Sequence, residues 1–133
     1  MTRLAPLLAL ALASLLPWAG ATGAPPSYPA RPLRLVVPFG PGGSADMLAR
    51  LVARKLGDRL GQNVVVDNRP GGNQVVAASA VAQMPADGHA LLLTVDMTMT
   101  MNPSLYARLP YRPADFEPIS MVAQQTLLLV ANP

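Results

Sequence analysis

The sequence predicts an α/β fold built on a parallel sheet. Short apolar, β-branched runs alternate with helical patterns, the runs are apolar throughout instead of every second residue, and Gly/Pro turns separate them. Strand, helix, strand, helix, strand is the βαβ rhythm. Right-handed crossovers then place helices on both faces, and ligands bind beyond the carboxyl ends of the strands.

The elements follow in order. Residues 1–21 read as an export signal. Arg3 supplies the positive charge, Leu4 to Leu16 the apolar run, and Ala19-Gly20-Ala21 the small residues of a cleavage site before Thr22. The run is interrupted by Pro6 and Pro17 and falls short of the ~20 residues that span a bilayer. Residues 22–32 are a proline-rich, extended lead-in. Leu33–Val37 is the first strand. Ser44–Leu60 is a helix with Met47, Leu48, Leu51, Val52, Leu56 and Leu60 on one stripe and Arg50, Arg54, Asp58 and Arg59 opposite. Ser44 is placed to cap it and Gly61 to stop it.

Residues 63–67 form a second buried strand, and 68–72 a turn in which Arg69 pairs structurally with Asp67. Residues 74–84 make a small-residue helix ended by Pro85 and the Asp87-Gly88 turn, and residues 90–95 a third buried strand. A short helix over 102–109 leads into a connection punctuated by Pro110, Pro113 and Pro118. Residues 119–131 read as a further strand, and a chain that stops on Asn132-Pro133 with no closing helix reads as truncated.

Composition narrows the function. Ten Lys and Arg against seven Asp and Glu give a formal charge of +3, dispersed along the chain. With three tyrosines, two phenylalanines and one tryptophan, no basic surface interleaved with aromatics is available for nucleic acid. Absence of cysteine excludes disulfides, thiolate metal sites and cysteine nucleophiles. No nucleophile–base pair, metal-ligand cluster or suitably spaced carboxylate pair is present, so the chain does not read as an enzyme and calls for no cofactor. His89, the single histidine, follows a turn and reads as solvated.

The most informative stretch is residues 33–46, LRLVVPFGPGGSAD. A strand that feeds a glycine loop opening a helix leaves backbone N–H groups unpaired at the positive end of the helix dipole, which is an anion seat. The competing reading is a tight turn that merely needs glycine torsions. A dinucleotide site fits poorly, because Ala45 and Asp46 stand where GxGxxG has its third glycine, and no Gly-Lys-Ser/Thr exists for a P-loop. Asp46 reads as a helix-start residue favouring the dipole ahead of a ligand contact. Met97, Met99 and Met101 alternate; on one side of an extended segment they would offer Cu(I) three thioethers, and the plainer reading is core filler.

Four ordered blocks carry a family resemblance: Tyr28 to Asp46 (YPARPLRLVVPFGPGGSAD), Val64 to Gly71 (VVVDNRPG), Pro85 to Gly88 leading into Leu91-Leu92-Leu93, and Asn102 to Tyr106 followed by Leu109-Pro110-Tyr111 and Asp115 to Pro118. The chain resembles the N-terminal part of the tripartite tricarboxylate transporter substrate-binding proteins, the Bug (Bordetella uptake gene) type of periplasmic solute receptor. The resemblance implies a type II periplasmic-binding-protein fold, a two-lobed Venus flytrap. Residues 33–133 would form a partial first lobe, with the second lobe missing.

It further implies a monomeric, exported receptor that presents a small organic acid to the membrane permease subunits of a tripartite transporter. Phe39, Gly40, Pro41, Gly42, Gly43 and Ser44, with Asp46 at the helix start, would hold the ligand carboxylate. The loop after the third strand, including Asp96 and Thr98, would face the same cleft. Asp96 departs from the Gly/Ser/Thr-rich turn usual in relatives; it would repel a second carboxylate and suit an ammonium group. The alternatives are a receptor fragment without binding function and, behind it, a methionine-rich periplasmic copper-binding protein.

Overall fold

The computed structural model describes residues 27–126 and 128–131. Three parallel strands form one sheet in the order β2-β1-β3: β1 (Leu33–Val37), β2 (Val64–Asn68) and β3 (Ala90–Leu92). β1 is central, with Leu33 opposite Val64 and Val37 opposite Asn68 on one side, and Arg34 to Val36 opposite Ala90 to Leu92 on the other. The ladder runs one residue beyond the strands at both ends, through Leu33 N–H to Asn63 O, Arg69 N–H to Val37 O and Leu93 N–H to Val36 O. The βαβαβ order and the parallel sheet therefore agree with the sequence reading. Among the described residues no helix is long and apolar enough to cross a membrane; the signal read over residues 1–21 and residues 22–26 of the lead-in lie outside them.

Helix α1 (Ser44–Leu60) has the expected bounds and ends at Gly61 in the left-handed conformation, its N–H returning to Gly57 O. Its inner face differs from the expected stripe. Leu35 and Val37 of β1 pack with Ala49 and Ala53, joined by Ala45, Val52, Val64, Val66, Leu91 and Leu93, whereas Met47 and Leu51 are 63% and 56% exposed. Alanines let the helix axis approach β1 closely, so Ala49 and Ala53 take the sheet-facing arc, Val52, Leu48, Leu56 and Leu60 of the expected stripe stay half-buried beside it, and Met47 and Leu51 are turned outward. Nor does Ser44 cap the helix: Gly43 is the N-cap, without a side-chain bond.

A 3-10 turn (Gly72–Gln74) leads into α2 (Val75–Ala82), whose Ala77 and Ala78 are fully buried. β3 ends earlier than expected, because Thr94 leaves the ladder to bond Thr98 and Gln74 through its hydroxyl. The chain then coils into α3 (Met97–Thr100) and α4 (Asn102–Leu105), shorter than the helix expected over 102–109. This removes the geometric premise of the copper reading. In a helix Met97 and Met101 share a side and Met99 takes the opposite one, so the three thioethers do not line one face.

The expected strand over residues 119–131 is also corrected. Its described residues adopt no regular secondary structure, and Ile119, Met121, Leu128, Leu129 and Val130 lie exposed. A strand needs a partner edge, and β propensity alone does not supply one. His89 also differs from its expected place. It is buried, with Nδ1 3.1 Å from Asp87 O and its ring edge-on to Tyr28 at 5.1 Å, while Nε2 has no hydrogen-bond partner among the described residues. Packing of the Tyr28 ring over the Asp87-Gly88 turn is what excludes water from it.

Candidate functional site: the loop between β1 and α1

The site sits at the carboxyl end of the central strand. After Val37, buried Pro38 ends the ladder and Phe39 packs on the core beside α1, which leaves Gly40 to Ser44 exposed. Gly42 adopts φ +88°, a conformation that L side chains rarely take, and Gly43 returns to extended torsions (φ −80°, ψ 171°) at the helix start. The first intrahelical bond runs from Met47 N–H to Gly43 O at 3.0 Å. The N–H groups of Gly43, Ser44 and Ala45 have no protein acceptor among the described residues. They stand at the positive end of a 17-residue helix.

Asp46 lies beneath the loop, 3% exposed, and holds it in shape. Its Oδ2 accepts from Gly42 N–H and from Arg50 Nε, each at 2.9 Å, and its Oδ1 accepts from Asn68 Nδ2 at 2.9 Å. Asn68 Nδ2 also donates to Phe39 O at 3.0 Å. The Arg50 guanidinium, the Gly42 N–H and the Asn68 amide hold the Asp46 carboxyl well below the usual carboxylate range, so it is ionised at any ordinary pH. Loop and carboxylate are thus joined at both flanks of Gly40-Pro41.

The second rim is the loop after β3, on the neighbouring strand. Asp96 is exposed there, with its carboxylate accepting from Met97 N–H at 2.9 Å. Thr98 is fully buried, its hydroxyl committed to Gln74 Oε1 and to Thr94 Oγ1. Gln74 is itself buried in the left-handed conformation (φ +73°), next to Asn73 (φ +51°). Asn102 Nδ2 donates to Asn73 O at 2.9 Å and to the Tyr111 hydroxyl, which in turn donates to Thr98 O. This buried network fixes the second rim as Asp46 fixes the first.

The structure therefore brings Phe39, Gly40, Pro41, Gly42, Gly43 and Ser44 into one loop and sets Asp46 under it. Asp96 stands on the adjacent loop, and Thr98 is turned into the protein. Sequence reasoning did not single out Asn68, Gln74, Asn102 or Tyr111. Arg50 had a local signal, four residues after Asp46 on one helix. Asn68 had none, since only the register that sets Val37 opposite Asn68 brings it under the loop. The pairing of Arg69 with Asp67 is present at 2.9 Å.

A family profile described as the tripartite tricarboxylate transporter family receptor, TctC, matches residues 48–133. The chain belongs to this family. BugT of Bordetella pertussis is 47% identical over 109 residues, covering 80% of this chain and 33% of BugT. MatC of Rhodopseudomonas palustris, solved with bound malate, superposes with a TM-score of 0.66 at 35% identity over 71% of this chain and 33% of its own. An R. palustris protein solved with adipate gives 0.61 at 44% identity over 65% and 29%. The chain spans about a third of the length of the curated relatives it matches. The TctC family is one of periplasmic solute-binding receptors, not enzymes, and the α/β sheet is part of their fold.

Proposed function

We propose that this TctC-family chain captures a small organic carboxylate on the loop of residues 39–44, in the periplasm, for the permease subunits of a tripartite transporter. One observation carries the reading: the N–H groups of Gly43, Ser44 and Ala45 are unpaired, at a helix N-terminus, in a loop held by a buried ionised Asp46. A carboxylate docked there exchanges water for oriented donors and the helix dipole, and needs no buried cation with its own counter-charge. The donors to the carboxylate are the backbone N–H groups of Gly43, Ser44 and Ala45, and Phe39, Gly40, Pro41 and Gly42 shape the loop around it. Asp96 at the neighbouring rim disfavours a second carboxylate there and suits an ammonium group. Asp46 and Thr98 act from beneath, through the loops they hold. Residues 1–21 serve export, and the receptor acts as a monomer.

Gly43→Asp tests the seat. The extended torsions at Gly43 suit any residue, and the nearest atom to an added Cβ is Gly40 O at 4.0 Å, so the variant folds. Its carboxylate occupies the seat and repels the ligand. Malate and adipate are the probes, read by calorimetry and by amide shifts. Gly43→Asp is expected to weaken either probe by at least about tenfold while Gly43→Ala, which brings no competing acceptor, keeps most of the affinity. Equal affinity in Gly43→Asp and the parent chain sinks the assignment.

A further inference from the structure

We propose that Asn68 is a positioning residue of the seat: without touching the ligand, it keeps Asp46 from folding back onto the N–H groups the ligand needs. The inference rests on the anion-seat reading above. Asp46 is the third residue of α1, the position from which an acidic side chain commonly reaches back to the N–H of the N-cap residue. Here the N-cap is Gly43, whose N–H belongs to the seat. A buried carboxylate beside a helix start is therefore a built-in competitor for the same donors.

The structure diverts it. Both oxygens of Asp46 are filled by donors other than those of Gly43, Ser44 and Ala45: Oδ2 by Gly42 N–H and Arg50 Nε, Oδ1 by Asn68 Nδ2. Arg50 holds Oδ2 from the solvent side, its side chain 57% exposed, so water and salt screen that contact. Among the described residues the hold on Oδ1 is Asn68 alone. The second hydrogen of the same amide fixes Phe39 O, the carbonyl that precedes the glycines. Remove the amide and a buried carboxylate oxygen loses its donor while the loop loses one of its two ties. The unpaired donors then at hand are those of Gly43 and its successors, and an unsatisfied buried oxygen is costly enough to draw the side chain to them.

The test uses the full 133-residue chain, isotope-labelled, with malate and adipate as probes. In N68A the fold by circular dichroism is expected to persist, and affinity for the probes to fall about tenfold. In the same variant without ligand, the Gly43 amide proton moves downfield because it has gained an acceptor. The exchanged pair D46N/N68D restores a hydrogen bond between the two positions and removes the competitor from position 46 but leaves Phe39 O without its donor, so affinity recovers in part, to at least about threefold above N68A. N68L, close to asparagine in shape and uncharged, carries the comparison if N68A does not fold. Affinity within about twofold of the parent in N68A overturns the proposal. So does an affinity loss with the ligand-free Gly43 and Ser44 signals unmoved, which marks mere loosening. If neither probe shifts Gly43, Ser44 or Ala45 in the parent chain, the seat reading fails by itself, and the ligand-free Gly43 shift alone decides the role of Asn68.

Discussion

Gly42 offers a substitution series in which torsion alone sets the outcome. Its φ of +88° lies in the region that L residues rarely adopt, yet an added Cβ would meet nothing within 4 Å. No clash complicates the reading, and the cost is conformational. Alanine in a left-handed conformation loses about 1–2 kcal/mol. Asparagine, which tolerates that region, loses less, and a β-branched valine loses more. For a domain of this size each 1 kcal/mol lowers Tm by about 4–8 °C. Gly43→Ala, at extended torsions with its nearest neighbour 4.0 Å away, stays within about 0.5 kcal/mol of the parent, since the weaker capping of alanine is offset by reduced freedom of the unfolded chain. Urea unfolding at constant m-value measures all four variants. The expected order of stability is Gly43→Ala, then Gly42→Asn, Gly42→Ala and Gly42→Val. A flat series, or Gly43→Ala falling below Gly42→Ala, would refute the assigned loop torsions.

Two further outcomes follow from the opposite end of the sheet. The backbone N–H of His89 and the Arg31 guanidinium pull the Asp87 carboxyl down to about 2 from 3.8. A depressed folded value means the stabilisation is complete above pH 3.8 and is lost as pH falls through about 2. Thermal melts across that window should show the parent chain losing more Tm than Asp87→Asn; parallel curves would show that Arg31 and Asp87 are not coupled in the fold. His89→Phe removes the buried, unpartnered Nε2 and keeps a ring edge-on to Tyr28, at the expense of the Nδ1 contact with Asp87. Stability is expected to be unchanged or raised by up to about 1 kcal/mol in urea melts. A loss of more than about 1 kcal/mol would mean that the Nδ1 contact with Asp87 outweighs the cost of the unpartnered Nε2.

Where local pattern and tertiary demand agree, the chain could be read directly. β1 and α1 have the bounds their residues announce, because a Leu/Val run interrupted only by Arg34, a Gly/Pro loop and a terminal glycine each act locally. The face of α1 could not be read the same way, since hydrophobicity favours Met47 and Leu51 while close approach to β1 favours Ala49 and Ala53. His89 looked exposed after its turn because Tyr28, which covers it, is distant in sequence. The methionine alternation suggested an extended segment, but Asp96 bonding Met97 N–H and Thr98 bonding Gln74 wind it into a helix. The loop of the candidate site was legible as glycines before a helix. Its support was half legible, in Asp46 and Arg50 one helical turn apart, and half invisible, in an asparagine brought there by strand register.

The tying of Gly42 directly, and of Phe39 through Asn68, to one buried carboxylate has a kinetic meaning. A loop that already holds its shape in the empty protein gives up little freedom when an anion arrives, so association is governed by encounter and orientation. Differences among competing carboxylates then appear in how long each one stays. For the seat proposed above, discrimination is accordingly a matter of residence time, written into the rate of departure.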